Sequence, residues 1–209
     1  MFKFLASTLA LSALLAVPTA SHAVIYTFNA SLAGSKEVPP NASPATGTAI
    51  LDYDDKGTPS LADDTYNFSM SVFGLTGVAT GFHIHGAANT TQNGPVRVDM
   101  SGILLAPSFP ALNVGGTLLV GGNSVAAPGL LTATPVTGTN PGYAAMSFLD
   151  MLRNSLAYVN VHTATFGGGE VRGQLIQVTA VPEPSTYAML LAGLGVLGLV
   201  ARRRRASQA

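Results

Sequence analysis

The sequence predicts an all-β fold, an antiparallel β-sandwich or Greek-key barrel, and three observations carry that prediction. Thr65 to Phe73 (TYNFSMSVF) alternate strictly: Tyr66, Phe68, Met70 and Val72 share one face, and Thr65, Asn67, Ser69 and Ser71 the other. Period-two alternation marks a strand with one dry face and one wet face. Similar short runs recur between glycine- and proline-rich turns, the spacing of a sandwich rather than of a helical or α/β domain. Cysteine is absent, so no disulfide contributes and the core alone must hold the fold.

The 209 residues divide into a domain and two specialised ends. Met1 to Ala23 read as a secretory signal peptide: Lys3 is the positive start, Leu5 to Val17 the apolar run, and Ser21-His22-Ala23 a small-x-small cleavage site. At the other end come Val181-Pro182-Glu183-Pro184-Ser185, an apolar stretch from Tyr187 to Ala201, and Arg202-Arg203-Arg204-Arg205. An apolar helix followed by arginines is a stop-transfer arrangement, with the arginines left in the cytoplasm and the domain outside. At 1.5 Å per residue the stretch reaches about 22 Å, short of a ~30 Å hydrocarbon core. It therefore reads as a weak or temporary transmembrane anchor. Between the ends, residues 24–180 suffice for one domain with its own core. There nine carboxylates outnumber five cations. A domain near −4 without a basic stripe is no partner for nucleic acid.

Within the domain, Ile25 to Leu32 alternate as a first strand and Gly47 to Asp54 as a second, with the turn-rich Ser35 to Pro44 between them. The acidic loop Asp55 to Asp64 precedes the strand Thr65 to Phe73. Its carboxylates have a superficial calcium-loop spacing, but Lys56 stands where an oxygen ligand belongs, so a solvated hairpin turn is the better reading. Gly81 to Gly86 is a strand, followed by a loop to Gly94 and a short strand Pro95 to Asp99 with Val96 and Val98 inward. Ser101 to Gly142, rich in glycine, proline, alanine and threonine, reads as long surface loops with one strand at Thr117 to Val120. Phe148, Leu149, Met151 and Leu152 recur at helical spacing, which predicts a short helix within Tyr143 to Asn154. Leu156 to His162 and Glu170 to Val178 are the last two strands. On the latter, Glu170 and Arg172 read as a surface ion pair.

The chemistry concentrates in Gly81-Phe82-His83-Ile84-His85-Gly86 and Tyr158-Val159-Asn160-Val161-His162, which hold every histidine outside the leader. Side chains alternate along a strand, so His83 and His85 share the face opposite Phe82 and Ile84. Tyr158, Asn160 and His162 likewise lie opposite Val159 and Val161. With the aliphatic faces turned to the core, all three imidazoles lie on the outer faces. They could converge on a copper or zinc ion, with Tyr158 and Asn160 as supporting groups. They could equally be members of a polar face that only hydrogen-bond.

Two stretches resemble known families. Val181 to Arg205, in the order Val-Pro-Glu-Pro-Ser, apolar helix and arginine cluster, resembles the PEP-CTERM sorting signal of Gram-negative bacteria. That resemblance implies processing near Pro182 to Pro184 by an exosortase-type enzyme and delivery to the cell surface or extracellular polymer matrix. Tyr158-Val-Asn-Val-His162-Thr, a glycine-rich turn, and Gly169-Glu170-Val171-Arg172-Gly173-Gln174-Leu175 resemble the signature of the CHRD (chordin-like) domain. Leu32 to Pro39, Thr65 to Phe73 and Gly81 to Gly86 fit as well. The resemblance implies a β-sandwich that serves as a binding or structural module.

Gly-Phe-His83-Ile-His85-Gly is also similar to the copper-ligand strand of the Cu/Zn superoxide dismutases, and Val-Asn-Val-His162 to their later copper-ligand strand. By position, His83, His85 and His162 would match three copper ligands. The departures are a missing fourth, bridging histidine, no zinc loop and no disulfide. The leading expectation is thus an exported binding or structural module, with a metal at the three histidines and extracellular polysaccharide or surface proteins as partners. The alternative is a copper-dependent redox enzyme.

Overall fold

The computed structural model describes residues 23–100, 111–122, 124–178 and 190–198. The first three strands, β1 (Ile25–Ala33), β2 (Thr46–Asp54) and β3 (Thr65–Phe73), form an antiparallel meander. Ile25 stands opposite Asp54 and Ala33 opposite Thr46, and the register continues from Thr46 to Phe73 on the next strand. This register places like faces together. Phe28, Leu51 and Phe68 make one buried row, and half-buried Tyr26 leads into a second with buried Tyr53 and Tyr66.

Next come β4 (Ala79–His85), β5 (Val96–Asp99), β6 (Ala111–Val114), β7 (Thr117–Val120), β8 (Ser124–Ala126), β9 (Leu130–Leu131) and β10 (Met146–Ser147). The helix α1 (Phe148–Arg153) leads to β11 (Tyr158–Thr163), β12 (Val171–Gln174) and β13 (Ile176–Gln177). The main sheet runs β5-β4-β11-β12-β1-β2-β3-β7-β6, with β13 beside β1 and β8 beside β3; β9 and β10 pair separately. All the strand pairs are antiparallel. The sheet curls on itself. Phe68 of β3 and Phe82 of β4 stack at 6.5 Å although four strands separate them in the sheet. One core cluster collects Phe28, Leu51, Phe68, Ile84, Val159 and Val171. The fold is all-β, as expected. Ser147 caps α1 by accepting the Asp150 N–H at 3.0 Å, and Phe148, Met151 and Leu152 enter the core.

Several local expectations need correction. The region after residue 110 is richer in structure than its composition suggests, holding β6 to β9; residues 101–110 lie outside the described residues. Val96 is 46% exposed, because β5 is an edge strand whose register shifts between Ile84 and His85 of β4. The last strand is two: Leu175 leaves β12 to donate its N–H to Ala157 O at 2.9 Å, and β13 then pairs with β1. Glu170 and Arg172 are not a surface pair, since both are buried and each has other partners.

Of the expected anchor at 187–201, residues 190–198 are helical. No helix among the described residues is long and apolar enough to cross a membrane. The leader up to residue 22, the motif Val181 to Ser185 and the cluster Arg202 to Arg205 lie outside the described residues.

Candidate metal centre

Pairing of β4 with β11 assembles the histidines. Tyr158 stands opposite His85, Asn160 opposite His83, and His162 opposite Gly81. Paired residues share a sheet face, and Gly81 has no side chain to compete with the His162 ring. The ring centroids lie 4.9 Å apart for His83 and His162, 5.4 Å for His83 and His85, and 6.1 Å for His85 and His162. One ring nitrogen from each histidine falls within 4.8 Å of the other two. Three atoms so placed lie within roughly 2.8 Å of a common point, and Zn–N bonds of ~2.0–2.1 Å require only a small contraction from there.

Backbone carbonyls orient two of the rings. His85 Nδ1 is 2.9 Å from Gly94 O, and His162 Nδ1 is 3.0 Å from Gly167 O. A carbonyl only accepts, so each Nδ1 carries the proton and each Nε2 presents a lone pair. His162 Nε2 faces His83 Nδ1 at 3.1 Å. His85 Nε2 is buried, and among the described residues it has no hydrogen-bond partner. The other side of His83 lies toward Asp99, with Nε2 3.5 Å from Oδ1. The donor set that could hold a metal is therefore His83 Nδ1, His85 Nε2 and His162 Nε2, each ring braced at its far nitrogen. Burial, and then the neighbouring His162, hold the His83 pKa below the usual imidazole value against the pull of Asp99. Burial pushes His85 down to about 4, against the opposing hydrogen bond to Gly94. Both rings stay neutral near pH 7, the form that ligates metals.

The expectation of a wet outer face does not hold around these rings. Residues 34–45 and 86–95 fold over it and bury a polar layer. Tyr158 stacks on His85 at 5.0 Å and 12° between planes. Its hydroxyl accepts the Gly94 N–H at 3.1 Å, tying down the carbonyl that orients His85. The Arg172 guanidinium covers the other Tyr158 face, 3.5 Å from the ring centroid. Arg172 also donates to Gln92 O at 2.9 Å and Asn89 O at 2.8 Å, strapping the 86–95 loop to the sheet.

Glu170 accepts from Ser43 Oγ at 2.7 Å, Thr76 N at 2.8 Å and Thr76 Oγ1 at 2.9 Å, and also from Thr163. Burial raises its pKa, but these hydrogen bonds outweigh it and hold the carboxyl below its ordinary value. Asn160 donates to Glu37 Oε2 at 3.4 Å, while Asn160 Oδ1 and Glu37 Oε1 are buried without partners among the described residues. Burial pushes Glu37 up to about 7, against the pull of Arg172 and Asn160. Gly169 must be glycine here: its φ is +134°, and a Cβ would meet Asn160 Oδ1 at 2.5 Å and Glu37 Oε1 at 2.7 Å.

The structure thus brings His83, His85 and His162 together, with Tyr158 against His85 and Asn160 against Glu37. Sequence reasoning missed Glu37, Asp99 and Gly94 as parts of the site and misread Arg172. The only available signal was that Glu37 and Arg172 fall inside the stretches singled out for their resemblance.

Fold and site together define an antiparallel β-domain whose outer face carries a buried polar layer around a histidine cluster. The CHRD domain profile matches residues 28–175, a span that takes in all of these residues. The chain belongs to the CHRD domain family. Residues 180–205 match the PEP-CTERM protein-sorting motif. That motif marks an exported protein, processed by an exosortase-type enzyme on its way through the membrane to the cell surface. Comparison with curated proteins and with solved structures returns no match.

Proposed function

We propose that this domain is an extracytoplasmic binding module that holds one copper or zinc ion through His83, His85 and His162, and that sorting delivers it to the cell surface or the extracellular polymer matrix. The observation that carries the reading is the lone pair of His85 Nε2. It is buried without a partner among the described residues, beside two imidazoles whose nitrogens reach the same space. An unpaired buried acceptor is costly, and a metal ion would relieve it. Three neutral nitrogen donors suit copper or zinc better than calcium or magnesium, which require oxygen. Bound there, the ion would supply a Lewis-acidic position open to a further donor, such as a group on extracellular polysaccharide or on a surface protein.

A second reading, copper-dependent redox activity, draws on one observation. The His83 side chain keeps 20% exposure, so solvent reaches the cluster from that side. The bridging histidine of the dismutases has no counterpart here, which argues against their chemistry.

The test uses the untagged full-length chain, purified in mild detergent, loaded with copper or zinc and freed of excess metal. About one ion per chain is expected, with nitrogen coordination in X-ray absorption spectra. His85→Ala and His162→Ala should each lose it while keeping the wild-type circular dichroism. Because imidazole must shed its proton to bind, occupancy should fall as the pH drops below about 5. Absence of bound metal, or equal metal in the variants, overturns the proposal. Superoxide consumption by the copper-loaded chain, abolished in both variants, would move the assignment to the redox reading.

A further inference from the structure

Beside the histidine cluster, on the same outer side of the sheet, lies a cavity of about 500 Å³ over β1, β12 and β13. Its wall carries Lys36 and Arg172 together with Ser31, Ser35, Thr90 and Gln174. Among the described residues no carboxylate lines it. Among the described residues neither cation makes an ion pair, although Glu37 lies near enough to act on Arg172 through its charge. Lys36 Nζ donates to a backbone carbonyl, Ser31 O, at 2.6 Å. The Arg172 hydrogen bonds run to carbonyl and amide oxygens of Asn89, Gln92, Asn93 and Gln174. The Lys–carboxylate pair among the described residues is elsewhere, Lys56 with Asp54. Arg172 is 1% exposed, so its charge is weakly screened by solvent and its field reaches into the cavity.

The rest of the lining carries no charge, and most of the cavity surface is apolar, with hydroxyls set into it. Ser31, Ser35 and Thr90 are exposed and offer hydroxyls to the cavity. Ile176, half exposed, adds an aliphatic patch. The volume is that of a site for a small organic molecule. A phosphate or sulfate ion would fill a small part of it and leave the hydroxyls unused. A neutral sugar would leave Lys36 without a counter-charge.

We propose that this cavity binds a carboxylated sugar unit of the uronate type, as part of an acidic polysaccharide. The carboxylate would lie toward Lys36 and the buried Arg172 charge, the ring hydroxyls against Ser31, Ser35 and Thr90, and the C–H face of the ring on Ile176. The site is separate from the three histidines, so it stands or falls independently of the metal.

The test is isothermal titration of the full-length chain in mild detergent with a galacturonate trimer. Maltotriose serves as neutral control, and acetate and inorganic phosphate as anions without the sugar. The trimer should bind at least tenfold more tightly than any of the three. Lys36→Glu should abolish that binding and Lys36→Gln weaken it about tenfold, with thermal unfolding and metal content unchanged in both. A tenfold rise in salt should weaken trimer binding, since charge drives it. Equal binding of maltotriose would overturn the role of charge. Equal binding of acetate or phosphate would reduce the cavity to a general anion site and overturn the sugar assignment. No binding of the trimer, or an undiminished affinity in Lys36→Glu, would overturn the proposal outright.

Discussion

Glu37 shows at the scale of one residue how burial sets chemistry. It sits next to exposed Lys36, yet it is 7% exposed, with one oxygen unpartnered among the described residues and a pKa pushed up to about 7 by desolvation. A carboxyl whose folded pKa lies above its unfolded value of 4.5 holds its proton more tightly in the native state. Stability from this group is therefore lost as the pH rises from about 4.5 to about 7, the sense opposite to that of a salt-bridged carboxylate. Glu37→Gln keeps the hydrogen-bonding shape and removes the titration. The variant should gain on the wild type across that window and hold the gain above it. The difference in urea unfolding free energy should reach on the order of 1–3 kcal/mol at pH 8. A difference independent of pH would show that Glu37 is ionised at no cost.

At the scale of elements, the 86–95 loop is as much a part of the candidate metal centre as the strands. Gly94 orients His85, and the loop carrying it is held by Arg172 through the carbonyls of Asn89 and Gln92. Lysine at this position would keep the charge but lose the planar stack on Tyr158 and the forked donors. Arg172→Lys should therefore cost roughly 2–3 kcal/mol of stability. It should also speed amide exchange at residues 86–95 well beyond that at β2 and β3, measured by hydrogen–deuterium exchange. Uniform acceleration would mean that the loop is held by other contacts. The elements differed in how well the sequence displayed them. β3 runs over the very residues that alternation marked, because one face meets the core and the other does not, and β7 over the short stretch read as a strand. β12 and β13 read as one strand, because the departure of Leu175 toward Ala157 leaves no mark on the local pattern. Arg172 looked like a surface residue because alternation reports only that it faces away from the core, not that a loop covers it.

For the whole molecule, the folded domain and the sorting tail do separate work, and a change in one should leave the other intact. Replacing Pro182, Glu183 and Pro184 together by alanine should block processing. The precursor should then accumulate in the membrane fraction, uncleaved at its C-terminus, with the metal content and melting temperature of its folded domain unchanged. Fractionation with immunoblotting checks this, and normal release of the triple variant would exclude processing at the motif.

The sequence by itself determined the all-β class, the bounds of the best strands, the sorting motif and the face on which each histidine lies. These are local matters, written in alternation and in the order of adjacent residues. Only the tertiary structure decided that β11 lies between β4 and β12, which carries His162 across 77 residues of chain to His85. It also decided that two loops close over the outer face, burying Arg172, Glu170 and Glu37 and opening the cationic cavity beside the histidines. Strand order and loop coverage depend on which distant surfaces fit together, and period-two alternation is the same whether the polar face meets water or a loop.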